Sequence, residues 1–178
     1  MSGWRPGGKR ADRDSMIRVD QAGEFGATRI YAGQLAVLRN TAPETKLIAR
    51  MASQEERHLK RFDQLMAERR VRPTMLQPFW DVAGFALGAA TALMSEKAAL
   101  ACTDAVETEI DRHYGEQLAE IGDDDPELSA TIAEFQAEEL EHRDSARGAG
   151  AAEAVGYPLL TAAIRAGCRA AIALSKRI

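Results

Sequence analysis

Three histidines occur in this 178-residue chain, and two of them stand in the same short motif. Glu55–His58 reads EERH and Glu139–His142 reads ELEH, each a Glu-x-x-His. On a helix, residues three apart share a face one turn apart. A carboxylate and an imidazole so placed can grip one metal ion, or a metal and its neighbour. One such motif in a glutamate-rich chain is weak evidence of a site. Two of them in matched positions are strong evidence.

The match comes from an internal repeat. A shift of 83 residues lays Glu24 on Glu107, YAGQLA (Tyr31–Ala36) on YGEQLA (Tyr114–Ala119), and Pro43-Glu44 on Pro126-Glu127. Past the proline turn the offset grows by one, and Glu55 and His58 fall on Glu139 and His142. Two copies of a helical hairpin account for this, and two packed hairpins make a four-helix bundle. The bundle recipe for a di-iron or di-manganese site needs one Glu from each of two helices and one Glu-x-x-His from each of the others. Glu24 and Glu107 supply the first pair. Their neighbours in QAGEFGA and TDAVETE are mostly small or apolar, so both are expected to look inward. A buried unpaired carboxylate is costly, and a divalent metal removes that cost. The expected metal ligands are Glu24, Glu55, His58, Glu107, Glu139 and His142. Carboxylates with imidazole suit iron or manganese, and the lack of thiolate disfavours structural zinc or an iron–sulfur cluster. Two irons in such a set can bind and reduce O2, whereas zinc offers no redox chemistry.

Helix geometry alone does not choose the partner of His142, because Glu138 (i−4) and Glu139 (i−3) both lie on its face. The repeat chooses Glu139, since His58 has Gln54 at i−4 and Glu55 at i−3. Glu134, Glu138 and Glu141 then fall to the solvated face. His113 lies over Ile30 and stands outside the symmetric set. It reads either as a partly buried histidine beside the site or as a proton or electron relay. Tyr31 and Tyr114 follow Glu24 and Glu107 by seven residues, two turns along the same face. Tyr31 reads best as a core residue with a hydrogen-bonded hydroxyl. Asp20 and Asp144 read either as orienting groups for ligand imidazoles or as solvated acids.

These residues need helices to position them, and the chain reads as almost all helix. Segments 15–41, 43–70, 79–121, 126–147 and 159–176 lie between proline, glycine and aspartate punctuation. The long segment 79–121 is expected to bend, with Gly84 and Gly88 as the weak points. Residues 1–14, polar and glycine-rich, read as a flexible tail, and 15–178 as one helical domain. A net charge of −4 argues against nucleic-acid binding. Cys102 and Cys168 form no CxxC pair and read as small buried hydrophobes. No signal or transit peptide is evident, and the apolar run Val82–Ser95 is too short to span a bilayer.

With these residues assembled, the chain resembles the demethoxyubiquinone hydroxylases of ubiquinone biosynthesis, members of the ferritin-like di-iron carboxylate superfamily. The stretches IRVDQAGEFGA, RPTMLQPFWDVAGFALGAATALM, ACTDAVETEIDRHY and EELEHRD carry the resemblance, which covers roughly residues 15–178. It implies a ferritin-like bundle whose six ligands fall on the positions above, with Glu55 and Glu139 bridging two iron ions. It points to Tyr114, with His113, as an electron or proton relay. Gln21 and Arg143 stand where the family often has histidine, and neither is a ligand position.

The resemblance implies O2-dependent hydroxylation of a polyprenylated methoxy-methyl-benzoquinol, with electrons drawn ultimately from NADH. Such a substrate lives in a bilayer. Segments 78–94 and 159–178 would then lie in the membrane interface, the second adding Arg165, Arg169, Lys176 and Arg177 toward anionic lipid. A buried helix or a subunit interface is the other reading of both, and both readings stay open. The family associates with other ubiquinone-biosynthesis proteins and can self-associate as a homo-oligomer. The expected location is peripheral, on the cytoplasmic face of a bacterial inner membrane or the matrix face of a mitochondrial one. Two rival readings are a ferritin- or rubrerythrin-like iron or peroxide protein and a non-catalytic membrane scaffold. The full ligand set disfavours the scaffold. The absence of a CxxC iron module and the greasy segments disfavour the other.

Overall fold

The computed structural model describes residues 12–38 and 42–177. Most of the expected tail lies outside the described residues, and the first helix already begins at Arg13. The described residues form six α-helices and one short 3-10 turn, with no strand among them. In chain order they are α1 (Arg13–Val37), α2 (Pro43–Arg69), α3 (Gln77–Met94), α4 (Glu96–Ile121), α5 (Pro126–Gly148) and α6 (Tyr157–Ser175).

Local chemistry sets these boundaries. Helices α2, α3, α5 and α6 carry proline in their first turn, where its missing N–H costs nothing. Asp12 and Asp125 cap α1 and α5 through their side chains. The hairpins α1–α2 and α4–α5 are the two copies of the repeat, and they form the bundle. Helix α3 packs along α1, and α6 packs along α4, so the two added helices flank the first helix of each hairpin.

The expected bend of segment 79–121 falls elsewhere. The chain breaks at Ser95, which takes extended backbone (φ −177°) and accepts a hydrogen bond from Ala98 N, starting a new helix. Gly84 and Gly88 stay helical because another demand holds them. A Cβ on Gly88 would stand 1.9 Å from the Ile30 carbonyl oxygen, and one on Gly33 would stand 2.1 Å from that of Phe85. The glycines let α1 and α3 cross backbone against backbone.

The core is a ladder of apolar layers through the bundle. Ile17, Phe62, Leu65, Ile121, Leu128 and Ile132 pack one end. Ile48, Met51, Ala99 and Leu100 pack the other. Between these layers the buried residues turn polar, and the site lies there.

Candidate metal centre

Six buried side chains from four helices meet in the middle of the bundle. Glu24 comes from α1, Glu55 and His58 from α2, Glu107 from α4, and Glu139 and His142 from α5. Each is no more than 3% exposed. Their donor atoms fall into two overlapping quartets, Glu24–Glu55–His58–Glu139 and Glu55–Glu107–Glu139–His142, with all atoms of a quartet within 4.8 Å of one another. The sequence-predicted set is therefore brought together whole. Glu55 and Glu139 belong to both quartets, the position that a bridging carboxylate needs.

Both imidazoles present Nδ1 to the cluster. His58 Nδ1 lies 3.1 Å from Glu139 Oε1 and 3.4 Å from Glu24 Oε2. His142 Nδ1 lies 3.0 Å from Glu55 Oε1 and 3.1 Å from Glu139 Oε2. Each histidine thus touches the Glu-x-x-His glutamate of the opposite hairpin. Several buried carboxylate oxygens (Glu24 Oε2, both of Glu55, and Glu107 Oε2) accept no hydrogen bond. Glu55 Oε1 and His142 Nδ1 are close without hydrogen-bond alignment. Orphaned, convergent, buried acceptors of this kind suit a divalent cation.

Electrostatics agrees. Burial pushes Glu55 and Glu107 well above the usual carboxylate range, and the charge of Glu139 adds to the rise. Burial raises Glu139 too, against the pull of its bond to His58. Burial by itself would depress His58, but the carboxylates of Glu139 and Glu24 beside its ring lift it to about 11. His142 moves down, chiefly through burial. These are the strains of like charges crowded out of water, and positive ions would relieve them. Four carboxylates and two imidazoles, with no thiolate, fit iron or manganese.

Two tyrosines brace the terminal glutamates crosswise. Tyr31 of the first hairpin donates its hydroxyl to Glu107 of the second at 2.8 Å. Tyr114 of the second donates to Glu24 of the first. Tyr31 is a buried core residue with a bonded hydroxyl, as its sequence suggests, and its partner is a candidate ligand. His113 is buried beside Tyr114, with ring centroids 6.4 Å apart. Its Nε2 lies 3.4 Å from Asp20 and 3.0 Å from Gln117, which itself donates to Asp20 at 2.8 Å.

Two expectations shift here, those for Asp20 and Glu138, while Asp144 takes the solvated one of its two readings. Asp20 reaches His113, and neither cluster imidazole. Asp144 is an exposed partner of Arg143. Glu138 is not simply solvated: it is about one-fifth exposed and lies 2.9 Å from His58 Nε2. Its repeat mate Gln54 lies 3.1 Å from His142 Nε2. Sequence reasoning weighed Glu138 only as a partner of His142 and gave Gln54 no role, although their common i−4 spacing was visible. Beside Gln54 and His142 a cleft of about 660 Å³ opens between α2 and α5, lined also by Arg50, Met51 and Glu141.

Four helices that converge four carboxylates and two imidazoles on one buried point define a ferritin-like carboxylate bundle, with buried Glu/His groups that could hold metal. The sequence model of the family "Ubiquinone biosynthesis protein COQ7" matches residues 11–175. The chain belongs to that family. It is 54% identical over 165 residues to the 3-demethoxyubiquinol 3-hydroxylase of Rhodospirillum rubrum, covering 93% of this chain and 78% of that protein. It is 50% identical over 173 residues to the human mitochondrial NADPH-dependent 3-demethoxyubiquinone 3-hydroxylase, covering 95% and 79%. The mitochondrial 5-demethoxyubiquinone hydroxylase of Saccharomyces cerevisiae is 42% identical over 181 residues, covering 93% and 78%.

Proposed function

We propose that this protein is a di-iron monooxygenase that hydroxylates demethoxyubiquinol, a polyprenylated methoxy-methyl-benzoquinol, in ubiquinone biosynthesis. The observation that carries this reading is the pair of metal-competent quartets sharing Glu55 and Glu139, in a chain whose relatives bear that activity in their names. Two iron ions would be held by Glu24, Glu55, His58, Glu107, Glu139 and His142, and would supply the O2 activation that no side chain offers.

The chain's own residues do the rest. The apolar layers above and below the site exclude bulk water. Tyr31 and Tyr114 hold Glu107 and Glu24 in place across the bundle. Tyr114, with His113 behind it, is the proposed path for a proton or electron into the site. Reduced nicotinamide nucleotide is the proposed source of electrons. The resemblance implies NADH, while the name of the human relative specifies NADPH, so both belong in the assay.

The substrate's polyprenyl tail calls for a membrane surface, and α3 is the proposed contact. Its outward stripe runs through Phe79, Val82, Phe85, Leu93 and Met94; Met75 on the lead-in to α3 and Leu159 on α6 are 80% and 79% exposed. This is inverted amphipathicity, apolar outward at helical spacing. Trp80 Nε1 donates to Ser175 Oγ and ties α3 to α6. Of the expected basic contacts, Arg165 and Arg169 also bond the buried Glu109, each at 2.7 Å, while Lys176 and Arg177 are exposed. No helix among the described residues is long and apolar enough to cross a membrane, which fits an interfacial mode. The location proposed is therefore peripheral, on the inner membrane of a bacterium or a mitochondrion.

Expression in cells that lack their demethoxyubiquinone hydroxylase is the deciding test. Restored ubiquinone, with two irons per purified chain, is the expected result. Bound iron with no hydroxylation would favour an iron- or peroxide-handling protein, and no iron at all would leave only a scaffold.

A further inference from the structure

The two quartets match in every residue type that faces the cluster. Each has three carboxylates and one imidazole that turns Nδ1 to the cluster, and each terminal glutamate is braced by a tyrosine from the other hairpin. Among the groups that back the two imidazoles, the match breaks. The residue at i−4 from each histidine reaches across the bundle to the outer nitrogen of the opposite histidine. His58 Nε2 meets the carboxylate of Glu138 at 2.9 Å, and His142 Nε2 meets the amide oxygen of Gln54 at 3.1 Å. Both partners act as acceptors, so Nε2 is the donor on the outer side of each ring, and a metal ion that displaced the Nδ1 proton would find the Nδ1 lone pair turned to the cluster. One acceptor is anionic and the other is neutral.

An anionic acceptor draws the Nε2 proton harder and makes the ring a stronger electron donor at Nδ1. Arg57 fixes Glu138 in place through an ion pair. Arg57 is 49% exposed, so water screens much of its charge and the carboxylate still acts on His58. Gln54 sits at the rim of the open cleft between α2 and α5.

From this asymmetry we infer that Glu138 and Gln54 are positioning residues that make the two metal positions inequivalent: the His58 position binds a divalent metal more tightly than the His142 position. The inference rests on the metal-centre reading above.

Titration of the metal-free full-length protein with Mn2+ under anaerobic conditions tests it, followed by calorimetry and, with Co2+, by visible absorption. Repulsion between two bound ions also separates two binding steps, so the variants decide. Glu138→Gln should weaken the tighter step roughly 10-fold or more and leave the weaker one nearly unchanged. Gln54→Glu should tighten the weaker step by a similar factor, which a mere loss of packing cannot do. Glu138→Asp, which keeps the charge, should retain most of the separation. Two steps that neither variant moves, or a Glu138→Gln variant that weakens both steps equally while Gln54→Glu tightens nothing, would overturn the inequivalence alone. Binding of no metal would overturn the metal-centre reading and this inference with it.

Discussion

Tyr31 on α1 and Glu107 on α4 are joined by a 2.8 Å hydrogen bond across the bundle, and the repeat-related Tyr114 and Glu24 are joined in the reverse sense. Each hairpin thus holds the other's terminal carboxylate. In Tyr31→Phe a buried carboxylate oxygen loses its donor. The metal-free variant should lose about 1–3 kcal/mol in urea unfolding while its helical circular dichroism stays native. Tyr114→Phe should keep two metals per chain and lose turnover, by roughly 100-fold, if the hydroxyl moves a proton. Wild-type turnover in Tyr114→Phe would remove it from the relay.

Glu139 belongs to both quartets and contacts both histidines. Glu139→Ala should abolish hydroxylation and cut bound iron below one per chain, in a protein that remains helical. Elemental analysis and product assay check this together. A fully active variant would rule out the site as drawn.

The crossing of α1 over α3 depends on the absence of side chains. A Cβ on Gly88 would meet Ile30 backbone at 1.9 Å, with nothing flexible to give way. Gly88→Ala should therefore destabilise by about 1–3 kcal/mol or more, through forced backbone separation. Gly167 lies in helical α6 with nothing within 4 Å of its Cβ position. Gly167→Ala should instead stabilise by roughly 0.5–1 kcal/mol. Opposite shifts in melting temperature for the two variants are the expected readout.

Acid should release α6. Glu109 on α4 is fully buried and accepts from Arg165 and Arg169 of α6 and from Arg112. Burial by itself would raise its carboxyl, but the bonds from Arg165 and Arg112 outweigh burial and hold it below the usual range. A depressed folded value means the stabilisation is present above the unfolded value of about 4.3 and is lost as pH falls through the folded one. Hydrogen exchange of α6 amides, corrected for intrinsic rates, should be flat above about pH 5 and should accelerate below about pH 4. Glu109→Gln should show the faster α6 exchange already at neutral pH.

The outward stripe of α3 should act as a membrane contact. Phe79 and Leu93 are 60% and 74% exposed and pack little protein, so Phe79→Asp/Leu93→Asp should change unfolding stability by only about 0.5 kcal/mol per site. Co-sedimentation with anionic lipid vesicles should fall sharply in the same variant. Undiminished vesicle binding would move the contact elsewhere.

Much of this was written in the order of residues. Two Glu-x-x-His motifs, a shift that lays Glu24 on Glu107, and prolines at helix starts are one-dimensional signals. Helix periodicity and the repeat turn them into six inward side chains in a bundle, the candidate ligands. That is why the convergence of these six side chains and the all-helical fold were legible in the sequence. What the order of residues leaves open is which side chains meet across the bundle, because such contacts depend on helix rotation and separation and not on spacing. Tertiary packing alone decided that Tyr31 serves Glu107, that Asp20 turns to His113, and that Glu138 backs His58. It also moved the expected bend from Gly84 and Gly88 to Ser95. A glycine weakens a helix in isolation, but here close packing against α1 uses that missing side chain, and a capping serine ends the helix in its place.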